Sequence, residues 1–167
     1  MTTDRTAQKT DREATIEAVP DLPVIRITRE FDATPAQLVR AHTDRELFAR
    51  WIGPNGMDVE IDRWDASTGG HYRYGNSRDG ETYWFYGSFH YIGPDRLVQT
   101  FTWEGMPEGV SLDTMRFEEL GDGRTRLVAT SVVDSIEARD GMLASGMEVG
   151  VDDGYAKLDE LLARGEV

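Results

Sequence analysis

Eleven of the sixteen aromatic residues in this chain fall between Trp64 and Trp103. They are Trp64, Tyr72, Tyr74, Tyr83, Trp84, Phe85, Tyr86, Phe89, Tyr91, Phe101 and Trp103, and aliphatic residues are thin among them. Each aromatic side chain buries a large area, and Tyr and Trp add a polar group that needs a partner. A sheet built from such residues either forms a dense core or walls a cavity. Which of the two it does decides what the chain does, because little else in the sequence resembles chemistry.

The order of elements follows from hydrophobic period and punctuation. Residues 1–22 read as a polar, disordered tail, within which Thr15 to Val19 is open as a short strand or an extended lead-in. A single domain follows over 23–167, opening with the β-pattern of Val24, Ile25, Ile27 and Phe31. Thr34-Pro35 predicts a helix start, Asp44 opens a second short helix carrying Leu47, Phe48 and Trp51, and Gly53-Pro54-Asn55-Gly56 stops it. Six strand-like runs come next, from Met57 to Val133, with connections short enough for an antiparallel meander. One long helix is predicted from about Ser135 or Asp140 to Arg164, its apolar stripe running through Leu143, Met147, Val151, Tyr155, Leu158 and Leu161. Helices segregated from an antiparallel sheet define an α+β domain.

Charge and composition remove several classes of function. With 31 acidic against 18 basic residues the net charge is −13. Such a surface repels phosphate backbones and anionic lipid, so neither nucleic acid nor membrane is an expected partner. Without cysteine there is no disulfide and no thiol chemistry. No apolar run approaches membrane-spanning length and no signal peptide is evident, so a soluble cytoplasmic protein is expected.

No catalytic constellation stands out. His42, His71 and His90 have no metal-ligand spacing, and zinc, hydrolase, dinucleotide and P-loop signatures are missing. Neither a metal nor a cofactor is expected. His90 shares one strand face with Trp84, Tyr86 and Ser88 if that strand is regular, and would then orient a ligand or act as an acid–base group. Asp113 and Arg116 are further polar candidates on the run VSLDTMRFEEL, where Met115 and Phe117 are expected to face the core. Gly146, Gly150 and Gly154 recur every four residues on one helical face, at a cost of roughly 1 kcal/mol each relative to alanine. Close packing and space for a ligand explain them equally well.

Several motifs together resemble a known family. They are Thr34-Pro35, Asp44-x-x-Leu47 leading to Arg50-Trp51-Ile52-Gly53-Pro54, Asp65 with Gly69-Gly70 and Tyr72-Arg73, Gly87-x-Phe89-x-x-Ile92-x-Pro94-x-Arg96-Leu97-Val98-x-Thr100, and Gly154-Tyr155-x-x-Leu158-x-x-Leu161. In order and spacing they are similar to the Hsp90-ATPase-activator-homologue-like branch of the START-like (SRPBCC, Bet v 1-like) superfamily, over about residues 23–164. The resemblance implies a helix-grip fold, in which a curved antiparallel sheet wraps a long C-terminal helix around an elongated hydrophobic cavity. It also implies a small bacterial protein related to binders of lipids, polyketides and hormones and to a few cyclases and aromatases. At Trp51-Ile52 many relatives carry two tryptophans, so no pocket role is carried over to Ile52.

The expectation is therefore a non-enzymatic protein that binds a small hydrophobic or aromatic ligand, lipid- or polyketide-like, between the sheet and the C-terminal helix. The expected walls are Trp51, Tyr72, Tyr74, Trp84, Tyr86, Phe101, Trp103, Met115 and Phe117. Gly146, Met147 and Gly150 form the roof, and His90 orients the ligand. A bulge within 83–92 would instead turn Tyr83, Phe85, Phe89 and Tyr91 inward. The alternatives are a cyclase- or aromatase-type enzyme in the same cavity and a co-chaperone-like interaction module, with a homodimer among its forms.

Overall fold

Strand alternation and three helix caps set the architecture of residues 13–167, which the computed structural model describes. The strands are β1 (Thr15–Ala18), β2 (Val24–Phe31), β3 (Asp58–Trp64), β4 (His71–Arg78), β5 (Glu81–Ile92), β6 (Arg96–Trp103), β7 (Ser111–Gly121) and β8 (Arg124–Val132). They form one antiparallel sheet in the order β1-β2-β8-β7-β6-β5-β4-β3. Helices α1 (Pro35–Thr43) and α2 (Arg45–Trp51) follow β2, and α3 (Ile136–Ala144) and α4 (Met147–Ala163) follow β8. This is the α+β helix-grip arrangement. No helix among the described residues is long and apolar enough to cross a membrane.

The sheet has one face to bury. In β2 the residues Ile25, Ile27, Arg29 and Phe31 are buried while their neighbours are half-exposed. Leu38, Ala41, Phe48, Tyr155, Leu158 and Leu161 from the helices join them in one core.

Two sequence expectations change here. The domain does not start at residue 23, because Thr15–Ala18 pairs with β2, Thr15 opposite Thr28 and Ala18 opposite Ile25. The part of the expected tail over residues 1–12 lies outside the described residues. The C-terminal segment is also two helices rather than one. Ser135 caps α3 by accepting from the Ala138 N–H at 3.0 Å. Gly146 then adopts φ +83, a left-handed conformation that L side chains resist, and breaks the segment before α4.

Of the other two helix glycines, Gly154 is the packing device. A Cβ there would lie 3.1 Å from the Trp51 carbonyl oxygen, whereas one on Gly150 would make an ordinary 3.6 Å contact with the Pro54 ring. The missing side chain at Gly154 lets α4 approach the end of α2 and the 53–56 loop. There Lys157 Nζ donates to Gly53 O at 2.9 Å and Asn55 N–H donates to Asp153 Oδ2 at 2.9 Å.

One buried ion pair ties α4 to the sheet. The Arg29 side chain is 5% exposed and meets Asp159 through two parallel bonds, 2.6 and 3.0 Å long. Its guanidinium lies 4.5 Å from the Phe31 ring centre and 5.7 Å from that of Tyr155. Removing one partner of such a pair leaves a buried, uncompensated charge. Asp159→Ala is therefore expected to destabilise the fold by about 3–5 kcal/mol, read by denaturant unfolding. An unfolding midpoint equal to wild type would show that the pair does not hold α4 in place.

Candidate functional site

Asp44 organises the helical side of the site. Its backbone ends α1, and its side chain caps α2 by accepting from the Leu47 N–H at 3.0 Å. At the N-terminus of α1, Thr34 and Gln37 form a reciprocal capping box with Pro35 in the first turn. Breaking the chain at Asp44 folds Phe48 and Trp51 back toward α1. The last carbonyls of a helix have no partner within it. Here the indoles supply partners: Trp51 Nε1 donates to Ala41 O at 2.9 Å and Trp64 Nε1 to Thr43 O at 2.8 Å. Both rings thus spend their polar edge on α1 and keep their apolar faces for the interior.

A cavity of about 170 Å³ lies between this helix pair and strands β3 to β7. Of the residues expected to wall it, Trp51, Tyr72, Tyr74, Phe101 and Met115 do so. Phe48, Ile52, Trp64 and Phe89 complete the apolar wall, and His42, Gln99 and Asp113 supply its polar groups. Phe117 is buried one step away, its ring 5.4 Å from that of His42.

Four of the expected residues face elsewhere. The β4–β5 register sets Tyr74 opposite Phe85 and Tyr72 opposite Gly87, so the odd-numbered residues of β5 share the inner face with the tyrosines. Trp84, Tyr86 and His90 consequently point outward. Trp84 is covered by Arg73, whose guanidinium lies 3.9 Å from the ring centre and pairs with Glu104 and Asp62. A bulge at His90 then shifts the register between Phe89 and Tyr91. Phe85, Phe89 and Ile92 pack inward, while Tyr83 and Tyr91 stay 40% and 44% exposed, so neither inward set anticipated from the sequence applies along the whole strand. Trp103 closes the end of β6 at 42% exposure, with its ring against Gly105.

The roof is also corrected. Gly146, Met147 and Gly150 do not line the cavity, and no residue of α4 is on its wall. Instead α4 backs the wall, since Tyr155 stacks on Trp51 with centroids 5.9 Å apart.

Electrostatically the site is defined by Asp113. It stands in a polar row across the inner face, opposite Gln99 on one side and Ser131 on the other. Its Oδ1 is sealed from solvent and has no hydrogen-bond partner among the described residues. Burial raises the carboxyl from its ordinary value to about 6, opposed by the hydroxyls of Ser131 and Ser111. His42 sits on the far wall with Nδ1 at 2.7 Å from Leu38 O. A carbonyl only accepts, so Nδ1 carries the proton and Nε2 is left as an acceptor. Burial lowers this imidazole to about 4, so it is neutral at physiological pH. Tyr72 donates to Thr100 O at 2.6 Å and accepts from Gln99 Nε2 at 3.3 Å. Burial holds the Tyr72 and Tyr74 hydroxyls above the phenol range, with smaller contributions from Tyr74 and then Asp113 at Tyr72 and from Asp113 at Tyr74.

His42 and Gln99 were missed by sequence reasoning, and Asp113 was named there without its place. The signals existed. His42 is four residues after Leu38 on the buried face of α1, and Asp113 has the parity of Met115 and Phe117.

Comparison with known proteins agrees with this architecture. The model of the family described as "Activator of Hsp90 ATPase homolog 1-like protein" matches residues 32–163. A crystal structure of a Rhodobacter sphaeroides protein is 27% identical with a TM-score of 0.82, covering 91% of this chain and 99% of that one. A Mycobacterium smegmatis protein is 25% identical with a TM-score of 0.79, covering 89% and 96%. An Hsp90 activator from Plasmodium falciparum, 20% identical, shares the fold with a TM-score of 0.61 over 84% of this chain and 96% of its own. No curated protein gives a significant sequence match.

Asp113 and His42 make opposite demands on pH. Asp113 has a raised folded pKa, so its contribution favours the folded state at low pH and is lost as pH rises through about 6. His42 has a lowered one, so its contribution is present above about 6.5 and is lost as pH falls toward 4. Asp113→Asn removes the first demand and leaves the second. The variant is expected to be about 1–3 kcal/mol more stable than wild type at pH 7.5. It should also lose stability more steeply between pH 6.5 and 4. Denaturant unfolding across that range checks both, and a variant less stable than wild type at pH 7.5 would mean that the carboxylate is compensated.

Proposed function

Because the chain belongs to the family of Activator of Hsp90 ATPase homolog 1-like proteins, within the SRPBCC/Bet v 1-like helix-grip superfamily, we propose that it binds a small, mainly aromatic ligand in the cavity between the α1–α2 pair and the sheet. The observation that carries this reading is the wall itself: aromatic faces from five elements converge on one space, with a few polar groups fixed among them. That combination is the usual composition of a small-molecule site.

Volume narrows the ligand. Drug-sized ligands occupy cavities of roughly 300–1,000 Å³, whereas this one measures about 170 Å³. A cavity of about 150 Å³ holds benzene. This volume favours a molecule of one ring, or an aliphatic body of that size, over the larger lipid- or polyketide-like ligand expected from sequence. Asp113 and His42 replace His90 as the groups on which an acid–base reaction in this cavity would depend. The likeness to the Plasmodium activator is one of fold, and it supports a chaperone-directed role less than the cavity supports a ligand.

Ligand binding to the folded state alone stabilises it, by about 2.7 kcal/mol at a hundredfold excess over Kd. In a thermal-shift series, toluene, phenol and benzylamine test the single-ring class, and palmitate and a tetracyclic aromatic test the larger one. At least one single-ring compound is expected to raise the Tm and neither large compound to do so. Met115→Trp, which fills the cavity, should abolish the shift while still melting cooperatively. Failure of all single-ring compounds, or an undiminished shift in that variant, would contradict the reading.

A further inference from the structure

The cavity carries one full charge and nothing among its lining residues to balance it. Among the described residues, Asp113 is the only carboxylate on the wall, and no Lys or Arg lines it. No ion pair with Asp113 occurs among the described residues, in contrast to Arg29, whose charge is matched by Asp159. The remaining polar groups are neutral. His42 has its Nδ1 proton committed to Leu38 O, and the Tyr72 hydroxyl is committed to Thr100 O. The hydroxyls of Ser131 and Ser111 stabilise the carboxylate in part, but a buried carboxylate without a countercharge still costs several kcal/mol unless a proton or a cation meets it.

Different ligands would fare differently against this charge. A carboxylate or phosphate ligand would be repelled. A metal ion would find a single oxygen ligand, and no group of three or more metal-ligating side chains occurs among the described residues. A neutral alcohol gains a hydrogen bond to the carboxylate but brings no charge to balance it. An organic ammonium gains that bond together with the attraction of opposite charges, and the faces of Trp51, Tyr72 and Tyr74 attract its positive charge as well. The Nε2 of His42, free to accept, offers a second site for an N–H.

From this geometry we infer that the cavity is a receptor for a small organic ammonium ion, an arylalkylamine of about one ring, with its nitrogen on Asp113 and its apolar body among Trp51, Tyr74 and Phe101. The inference rests on the reading of the cavity as a ligand site and adds the charge of the ligand to it. Asp113 fixes the chemical class, and the volume fixes the size.

Three probes of nearly equal size separate the possibilities: benzylamine, which is protonated at neutral pH, benzyl alcohol and toluene. Calorimetric titration of the full-length protein at pH 7.5 is expected to give benzylamine at least tenfold tighter binding than either neutral probe. In Asp113→Asn that preference should disappear. Equal or tighter binding of benzyl alcohol or toluene by the wild-type protein would overturn the ammonium assignment and leave the ligand site standing. So would a preference that survives in Asp113→Asn. If none of the three binds wild type, the ligand site itself fails, and the assignment with it.

Discussion

The buried pair between Arg29 and Asp159 is the contact on which the site depends, although neither residue touches the cavity. Two parallel bonds fix α4 against β2. The same guanidinium lies over the Phe31 and Tyr155 rings, and Tyr155 stacks on Trp51. Trp51 is the cavity wall. A charge satisfied deep in the fold thus holds an aromatic ring where a ligand would meet it. Gly154 of α4 serves the same end, since it lets the helix sit directly on the backbone of Trp51.

The inner face of the sheet treats two buried charges in opposite ways. Arg29 lies in the row Phe117–Leu127–Arg29 and is fully partnered. Asp113 lies in the row Gln99–Asp113–Ser131 and keeps one oxygen without a partner. A group that destabilises the fold at neutral pH is poorly explained as a folding residue. Strained and uncompensated groups concentrate where activity needs them. That contrast, more than the presence of an aromatic space, supports the proposal that the cavity is a site.

Much of the fold was legible because it is written in local signals. Thr34-Pro35, Asp44 and the alternation of β2, β3 and β7 each act over a few residues. The break at Gly146 was not, because glycines at four-residue spacing fit a continuous packed helix as well as an interrupted one, and only a positive φ tells them apart. The site was half legible. Tyr72, Tyr74, Trp51, Phe101 and Met115 follow from pattern, whereas β5 contains aromatics on both faces and offers no polar alternation to set its parity. Register with β4 and the bulge at His90 decide it, and both are tertiary facts. Asp113 was obscured for a different reason. A carboxylate at an inward position contradicts the usual rule for charges, and the contradiction is itself the signal.

The measurement closest to the central claim is a carboxyl 13C NMR titration of the ligand-free protein, following Asp113. The account predicts that this buried carboxylate titrates at about 6, above the ordinary aspartate value. A midpoint at or below about 4 would show that the group is solvated or paired, and the cavity would then be a packing space rather than a binding site.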